Sequence, residues 1–328
     1  VAGYRVHYGT SSGNYSQSVD VGNVTGTTIS NLAAGQTYYF ATTDYNTAGL
    51  ESLPSNEVAY TVPTATPTPT PVPTPTPRPN PVVKDFNGDG YADLVWENTS
   101  TGQRGIWLLK NGVPSSVINL PTVGVQWRIA GIGDFNGNGN ADLVWENTST
   151  GQHSIWLLKN GAFSGIINLP TVGVQWRIAG AGDFNGDGYA DLVWENTSTG
   201  QRGIWLLKNG VVSSVINLPT VAVEWRIAGV GDFDGDGYAD LVWENTRTGQ
   251  RAIWLLKNGV ISSVINLPTV GVQWRIAGAA DFNGDGYADL VWENTSTGQR
   301  GIWLLKNGVL SSILNLPTVP VEWTIAEH

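Results

Sequence analysis

A unit of 49 residues occurs five times in succession, each copy opening on a loop of the type Asp-Phe-Asn-Gly-Asp-Gly-Tyr-Ala-Asp. The loops start at Asp85, Asp134, Asp183, Asp232 and Asp281, and the first, third and fifth copies are identical over 29 residues. A repeat of this length cannot bury its apolar face alone, so successive copies must stack into a propeller or a solenoid. In the second copy, residues 127–133, 141–147, 154–159 and 166–169 are β-rich runs bounded by Asn-Gly, Ser-Thr-Gly and Pro-Thr clusters, which predicts four short strands. Asn160-Gly161 predicts a type I′ hairpin turn. Four strands per repeat is the content of one propeller blade.

The two ends of the repeat region decide between propeller and solenoid. The first copy has only residues 81–84 where later copies carry a Trp-Arg-Ile-Ala-Gly strand, and the chain ends on an additional copy of that strand, residues 323–328. Splicing end onto beginning completes one blade, the closure expected of a ring without exposed sheet edges. The fold expected for residues 82–328 is therefore an all-β, five-bladed β-propeller whose C-terminal strand closes the ring.

The preceding residues have a different character. Residues 1–62 contain no Trp, whereas all fifteen tryptophans fall in the repeats. Alternating runs at 4–8, 27–29, 38–42 and 57–62 predict strands of a β-sandwich. The run Leu32-Ala33-Ala34-Gly35-Gln36-Thr37-Tyr38-Tyr39-Phe40 resembles the fibronectin type III signature, which implies that the Tyr38 hydroxyl ties back to upstream backbone. About two thirds of such a domain is represented, so the sandwich is partial. Residues 63–81 alternate Pro with Thr and predict a stiff polyproline II linker.

Composition narrows the function. There is no Cys, which excludes disulfides and thiolate chemistry; with no Met either, the chain reads as a processed product or a fragment. No stretch is apolar and long enough to insert in a bilayer as a helix. The formal net charge of −10 argues against nucleic acid. Of 27 acidic residues, 15 are Asp of the five loops, so the negative charge is concentrated where cations could neutralise it.

Positions 1, 3, 5, 7 and 9 of the loops are Asp85, Asn87, Asp89, Tyr91 and Asp93; Asp134, Asn136, Asn138, Asn140 and Asp142; Asp183, Asn185, Asp187, Tyr189 and Asp191; Asp232, Asp234, Asp236, Tyr238 and Asp240; Asp281, Asn283, Asp285, Tyr287 and Asp289. In the first loop this spacing wraps oxygen ligands round Ca²⁺, with position 7 contributing its carbonyl and the glycine at position 6 the sharp turn. An EF-hand is excluded because Trp96 stands where its bidentate Glu is required, and oxygen ligands disfavour zinc and copper. The alternative is that these side chains only make turn hydrogen bonds.

The loop followed by Leu-Val-Trp-Glu-Asn, Thr-Ser-Thr-Gly-Gln and Ile-Trp-Leu-Leu-Lys-Asn-Gly resembles the FG-GAP, or VCBS-type, repeats of secreted bacterial proteins. That resemblance implies one Ca²⁺ per blade on the matching residues of each loop. The second loop, with Asn138 at position 5, is expected to bind most weakly, and the fourth, with four Asp, most tightly.

Of the three Trp per copy, Trp127, Trp176, Trp225, Trp274 and Trp323 follow the Leu-Pro-Thr-Val connection and are the candidates for offering an aromatic face to a sugar ring, with polar help from Asn98 and Arg104. For any one of them the alternative is core packing. His7, His153 and His328 do not recur, so acid–base chemistry on His has no repeated seat. Glu97, Glu146, Glu195, Glu244 and Glu293 recur in near-identical surroundings, unlike the paired carboxyls in differing environments that a glycosidase needs. The expectation is a secreted or cell-surface, non-catalytic, multivalent module for glycans or other extracellular polymers. The rival is a structural or adhesive protein that assembles through its incomplete sandwich; a polysaccharide-degrading enzyme comes third.

Overall fold

The computed structural model describes residues 1–63 and 84–326. Apart from its first residue, the 63–81 linker lies outside the described residues. The chain divides into two units, Val1–Thr76 and Pro77–His328.

In the first unit one antiparallel sheet is ordered β2-β1-β3-β4, from β1 Gly3–Gly9, β2 Gln17–Gly22, β3 Thr37–Tyr45 and β4 Val58–Thr61. Tyr8 stacks on Phe40 at 5.7 Å, and the Tyr38 hydroxyl accepts the Ala33 N–H at 3.1 Å. The strand expected at residues 27–29 is absent, because no neighbouring strand is there to take its backbone hydrogen bonds. The hairpin partner of β1 is instead β2, through register pairs such as Val6–Val19. The described residues thus supply one layer where a sandwich has two.

Among the described residues the second unit contains five four-stranded antiparallel sheets. Four are consecutive: β8 Trp127–Gly133 to β11 Ala162–Leu169, β12 Trp176–Gly182 to β15 Val211–Leu218, β16 Trp225–Gly231 to β19 Val260–Leu267, and β20 Trp274–Ala280 to β23 Val309–Leu316. The remaining sheet joins β5 Leu94–Asn98, β6 Arg104–Lys110 and β7 Val113–Leu120 to the chain's last strand, β24 Trp323–Ile325. In it Trp323 pairs with Asn98, Thr324 with Glu97 and Ile325 with Trp96, and the Ala326 N–H continues to the Val95 carbonyl at 2.8 Å.

Each outer hairpin turns on Asn-Gly with both residues at positive φ, 51° at Asn111 and 73° at Gly112, the type I′ signature. The fourth strand of each sheet starts earlier than its apolar run suggests, at Ala162 in the second, because a bulge at Leu157/Leu158 lets pairing continue to the turn.

Leu-Val-Trp-Glu-Asn strands are buried along their whole length, as a strand covered on both faces must be. Alternate residues feed two different cores. Val144 and Ile155 pack with Trp194 and Leu207 of the next sheet, while Leu143 and Trp145 of the same sheet pack with Val95 and Ile106 of the previous one. Five such clusters occur, each shared by two sheets, and one joins Phe282 and Ile302 of the last sheet to Trp96 and Ile325 of the first. Ile325 is 1 % exposed. Ile325→Ala should therefore lower the unfolding free energy by about 2–5 kcal/mol, read as a shift in the urea midpoint.

Candidate functional site

Four of the five loops join the first strand of a sheet (β8, β12, β16, β20) to its second, and the first loop leads into β5. In the first, Asp85 caps the loop from its start: its Oδ1 accepts the Gly88 N–H at 2.6 Å and its Oδ2 the Gly90 N–H at 2.8 Å. Asn87 Oδ1 accepts from Asp89 N and Asp89 Oδ1 from Tyr91 N, at 2.9 and 3.1 Å. At position 9, Asp93 has no exposed surface. Its Oδ2 accepts from Phe86 N and its Oδ1 from Leu109 N, both at 2.8 Å, which fixes the loop to the sheet's third strand. The same pair of bonds recurs at Asp142, Asp191, Asp240 and Asp289.

The sequence places acid in these loops, and burial makes it costly. Desolvation first, then neighbouring Asp, pushes the position-9 carboxyl up to about 6 at Asp142, about 7 at Asp93, Asp191 and Asp289, and about 8 at Asp240. The order follows the number of Asp in each loop, from two in the second to four in the fourth. In the fourth, Asp232, Asp234 and Asp240 bring carboxylate oxygens within 4.8 Å of one another. Position 3 is a carboxylate only there; elsewhere it is an Asn carboxamide. An all-oxygen donor set with surplus negative charge fits a hard divalent cation.

The second loop departs further than its sequence suggests. Asn140 donates from Nδ2 to Asn138 Oδ1 at 2.9 Å, so position 7, expected to matter only through its carbonyl, engages the side-chain oxygen of position 5. The tyrosines at this position have another task. Tyr189 lies over Gly137 of the preceding loop, where a Cβ would stand 2.8 Å from the ring. Beside it the Ala190 N–H reaches the Asp134 carbonyl at 2.8 Å. Equivalent bonds lace Ala239 to Asp183, Ala288 to Asp232 and Ala92 to Asp281, so loops of adjacent sheets are tied directly together.

The aromatic candidates fall into classes. Trp96, Trp145, Trp194, Trp243 and Trp292 are 1–2 % exposed and belong to the core. Trp127, Trp176, Trp225, Trp274 and Trp323 are half-buried, as are the tryptophans of the third strands. In the second sheet, Trp127 and Trp156 join Trp145, Ser154, Ile166 and Asn168 round a cavity of about 490 Å³.

The two polar helpers are corrected by the structure. Arg104 is 4 % exposed. Its guanidinium donates to the carbonyls of Gly102, Val123 and Trp127, pairs with Glu97 at 3.4 Å and lies 5.3 Å from the Trp145 ring centre. Asn98, 6 % exposed, accepts from Ser100 N and Thr101 N at 3.0 and 2.9 Å. Both are committed to internal partners: Asn98 to the N–H groups of its own turn, Arg104 to groups of the next sheet, which a single repeat does not reveal. His153 replaces the arginine in the second sheet. It meets Trp194 edge-on at 4.9 Å, and burial holds its imidazole below the ordinary value.

Repeated four-stranded sheets with shared inter-sheet cores define a β-propeller repeat protein. The FG-GAP-like repeat matches residues 85–145, 134–194 and 232–292, more than half of the sequence. The chain belongs to that family. No curated protein matches it. Solved structures similar to it include a Dos1 propeller (TM-score 0.36, 11% identity, 69% of this chain and 59% of that one). Two others are a post-proline cleaving enzyme from Rickettsia typhi (0.34, 12%, 67% and 33%) and hydrazine synthase of Kuenenia stuttgartiensis (0.38, 13%, 81% and 72%). The chain thus spans less than two thirds of the length of the first two, and likeness at this level carries no functional argument.

The buried loop carboxyls make a prediction for the metal-free protein. Their folded pKa lies above the unfolded value of about 4, so between about pH 4 and pH 8 the folded chain holds more protons than the unfolded one. Stability of the repeat unit should then fall as pH rises through that window, measured by thermal unfolding in chelator.

Proposed function

We propose that this chain is a non-catalytic, multivalent carbohydrate-binding module of a secreted protein, built on a closed five-bladed propeller with a calcium ion in each blade loop. The observation that carries the reading is the aromatic groove of the second sheet. Half-buried Trp127 and Trp156 present ring surface beside the exposed carboxamide of Asn168, the combination of stacking face and directed hydrogen bonds that a sugar requires. Trp176, Trp225, Trp274 and Trp323 repeat the first of these positions. Several weak equivalent sites give avidity that none has alone. With Arg104 and Asn98 occupied internally, the polar contacts fall to exposed residues of the fourth strand such as Asn168. The recurring glutamates are equally committed, which supports a non-catalytic role.

Calcium in this reading is structural. It would be held by the side chains of positions 1, 3, 5 and 9 and the carbonyl of position 7, and would offset the crowding of buried carboxylates. Millimolar Ca²⁺ should raise the melting temperature and flatten its dependence on pH. At a hundredfold excess over the dissociation constant each site contributes about 2.7 kcal/mol. Asn138→Asp should increase the calcium-induced shift, and equal melting curves in calcium and in chelator would contradict this part of the proposal.

Glycan-array binding with and without Ca²⁺ tests the main reading. Trp176→Ala should weaken retention on a multivalent glycan surface while leaving the other sites, and part of the avidity, in place. Absence of any carbohydrate binding in calcium would overturn it. One observation favours an adhesive role as the second reading: the sheet of the first unit, read as a partial fibronectin type III domain, has no second layer among the described residues and leaves Val58 and Tyr60 of β4 exposed. Regular assemblies in electron micrographs would support that alternative.

A further inference from the structure

The innermost strands carry an arginine set at the end opposite the acidic loops. β8, β12, β16 and β20 each begin Trp-Arg-Ile, and these strands and β24 neighbour one another in turn. Each arginine stands across the sheet from the glutamate of Trp-Glu-Asn: Arg128 is 3.0 Å from Glu146, Arg226 3.0 Å from Glu244 and Arg275 2.7 Å from Glu293, and Arg177 pairs with Glu195. The fifth position is Thr324, opposite Glu97.

These pairs would be balanced at one arginine per glutamate, but they are not. Glu195, Glu244 and Glu293 each have a second, deeply buried partner in Arg202, Arg251 and Arg300, and Glu97 has Arg104. Eight arginines face five glutamates, an excess of three positive charges in a chain whose formal charge is −10. The inner arginines hold the excess at the surface: their side chains are 18–24 % exposed, against 1–2 % for the outer ones. Their hydrogen bonds run through Nε and Nη2, leaving Nη1 of each without an acceptor among the described residues. Burial, and beyond it the adjacent guanidinium groups, hold Arg128 and Arg226 below the ordinary arginine value.

Where the fifth arginine is missing there is room. A cavity of about 450 Å³ is lined by Arg128 and Arg275, which flank the gap, with Thr324, Glu97, Glu293 and Arg300. Glu97 and Glu293 already accept from the Ile129 and Ile325 N–H groups as well as from arginine, so the unmatched groups in the cavity are donors. We propose that this mouth is a binding site for a small oxyanion, a carboxylate or a sulfate-like group, received by Arg128 and Arg275 with the Thr324 hydroxyl as a further donor. A guanidinium fork with spare N–H groups matches such an anion in geometry and charge. The site is independent of the aromatic grooves and of the loops.

Titration calorimetry of the whole chain at fixed Ca²⁺ tests it, with sodium sulfate and sodium acetate as probes against chloride of equal ionic strength. The expected result is saturable binding of at least one probe at one site per chain; tighter sulfate assigns a tetrahedral dianion, tighter acetate a carboxylate. Arg275→Gln, which leaves Glu293 its Arg300 partner, should weaken binding roughly tenfold. Thr324→Phe, which fills the cavity without altering charge, should do the same and decides the matter if the first variant does not fold. Arg247→Gln, at an exposed pair with Glu224, should change nothing. No saturable binding of either probe, or unchanged affinity in a folded Arg275→Gln or Thr324→Phe protein, would overturn the proposal.

Discussion

The hydrogen bond from the glutamate of each Trp-Glu-Asn strand to the backbone of the following sheet is the constraint on which the repeat unit depends. Glu97 accepts from Ile129 N at 2.6 Å, Glu146 from Ile178 N at 2.9 Å, Glu195 from Ile227 N at 3.3 Å and Glu244 from Ile276 N at 3.0 Å. The fifth, Glu293 to Ile325 N at 3.2 Å, runs from the last sheet to the strand that completes the first. A carboxylate only 2–7 % exposed holds its charge only when paired and hydrogen-bonded. Arginine supplies the pairing from one or both sides. Such a buried network contributes little net stability, but removing one partner costs about 3–5 kcal/mol, so it discriminates against any other stacking of near-identical sheets.

The two ends of the sheets divide the chemistry. At one end the loop carboxylates crowd together, anchored through the position-9 Asp to the sheet beneath; at the other the glutamates are outnumbered by arginine. Apolar layers of Leu, Val, Ile and Trp lie between. The second sheet is the least regular at both ends: Asn138 and Asn140 replace Asp and Tyr in its loop, and His153 replaces the stacked arginine. Its departures from the repeat are the places where a single site can be distinguished by measurement.

Much of this was legible in the sequence because the repeat multiplies weak signals. The Asn-Gly turns, the strand order and the pairing of Trp323–Ile325 with the first sheet follow from period and from complementary ends. What lay beyond reach was the environment created by the next sheet. Arg104 sits in a turn-rich stretch that reads as a polar rim, yet the carbonyls of Val123 and Trp127 and the ring of Trp145 enclose it. Recurrence made the glutamates visible, but nothing local showed that each reaches the backbone of the following sheet. In the first unit, β-branched residues 27–29 matched a strand pattern and failed for want of a neighbour, a condition no local pattern encodes.

Hydrogen exchange at five backbone amides tests the ring most directly. If the sheets form one closed cooperative unit, the N–H groups of Ile129, Ile178, Ile227, Ile276 and Ile325 exchange only through global opening and share one protection free energy. Ile325, three residues from the chain end, should be as protected as Ile227 in the middle. Exchange of Ile325 at the rate of a frayed terminus, with the other four protected, would contradict closure and leave an open stack of sheets.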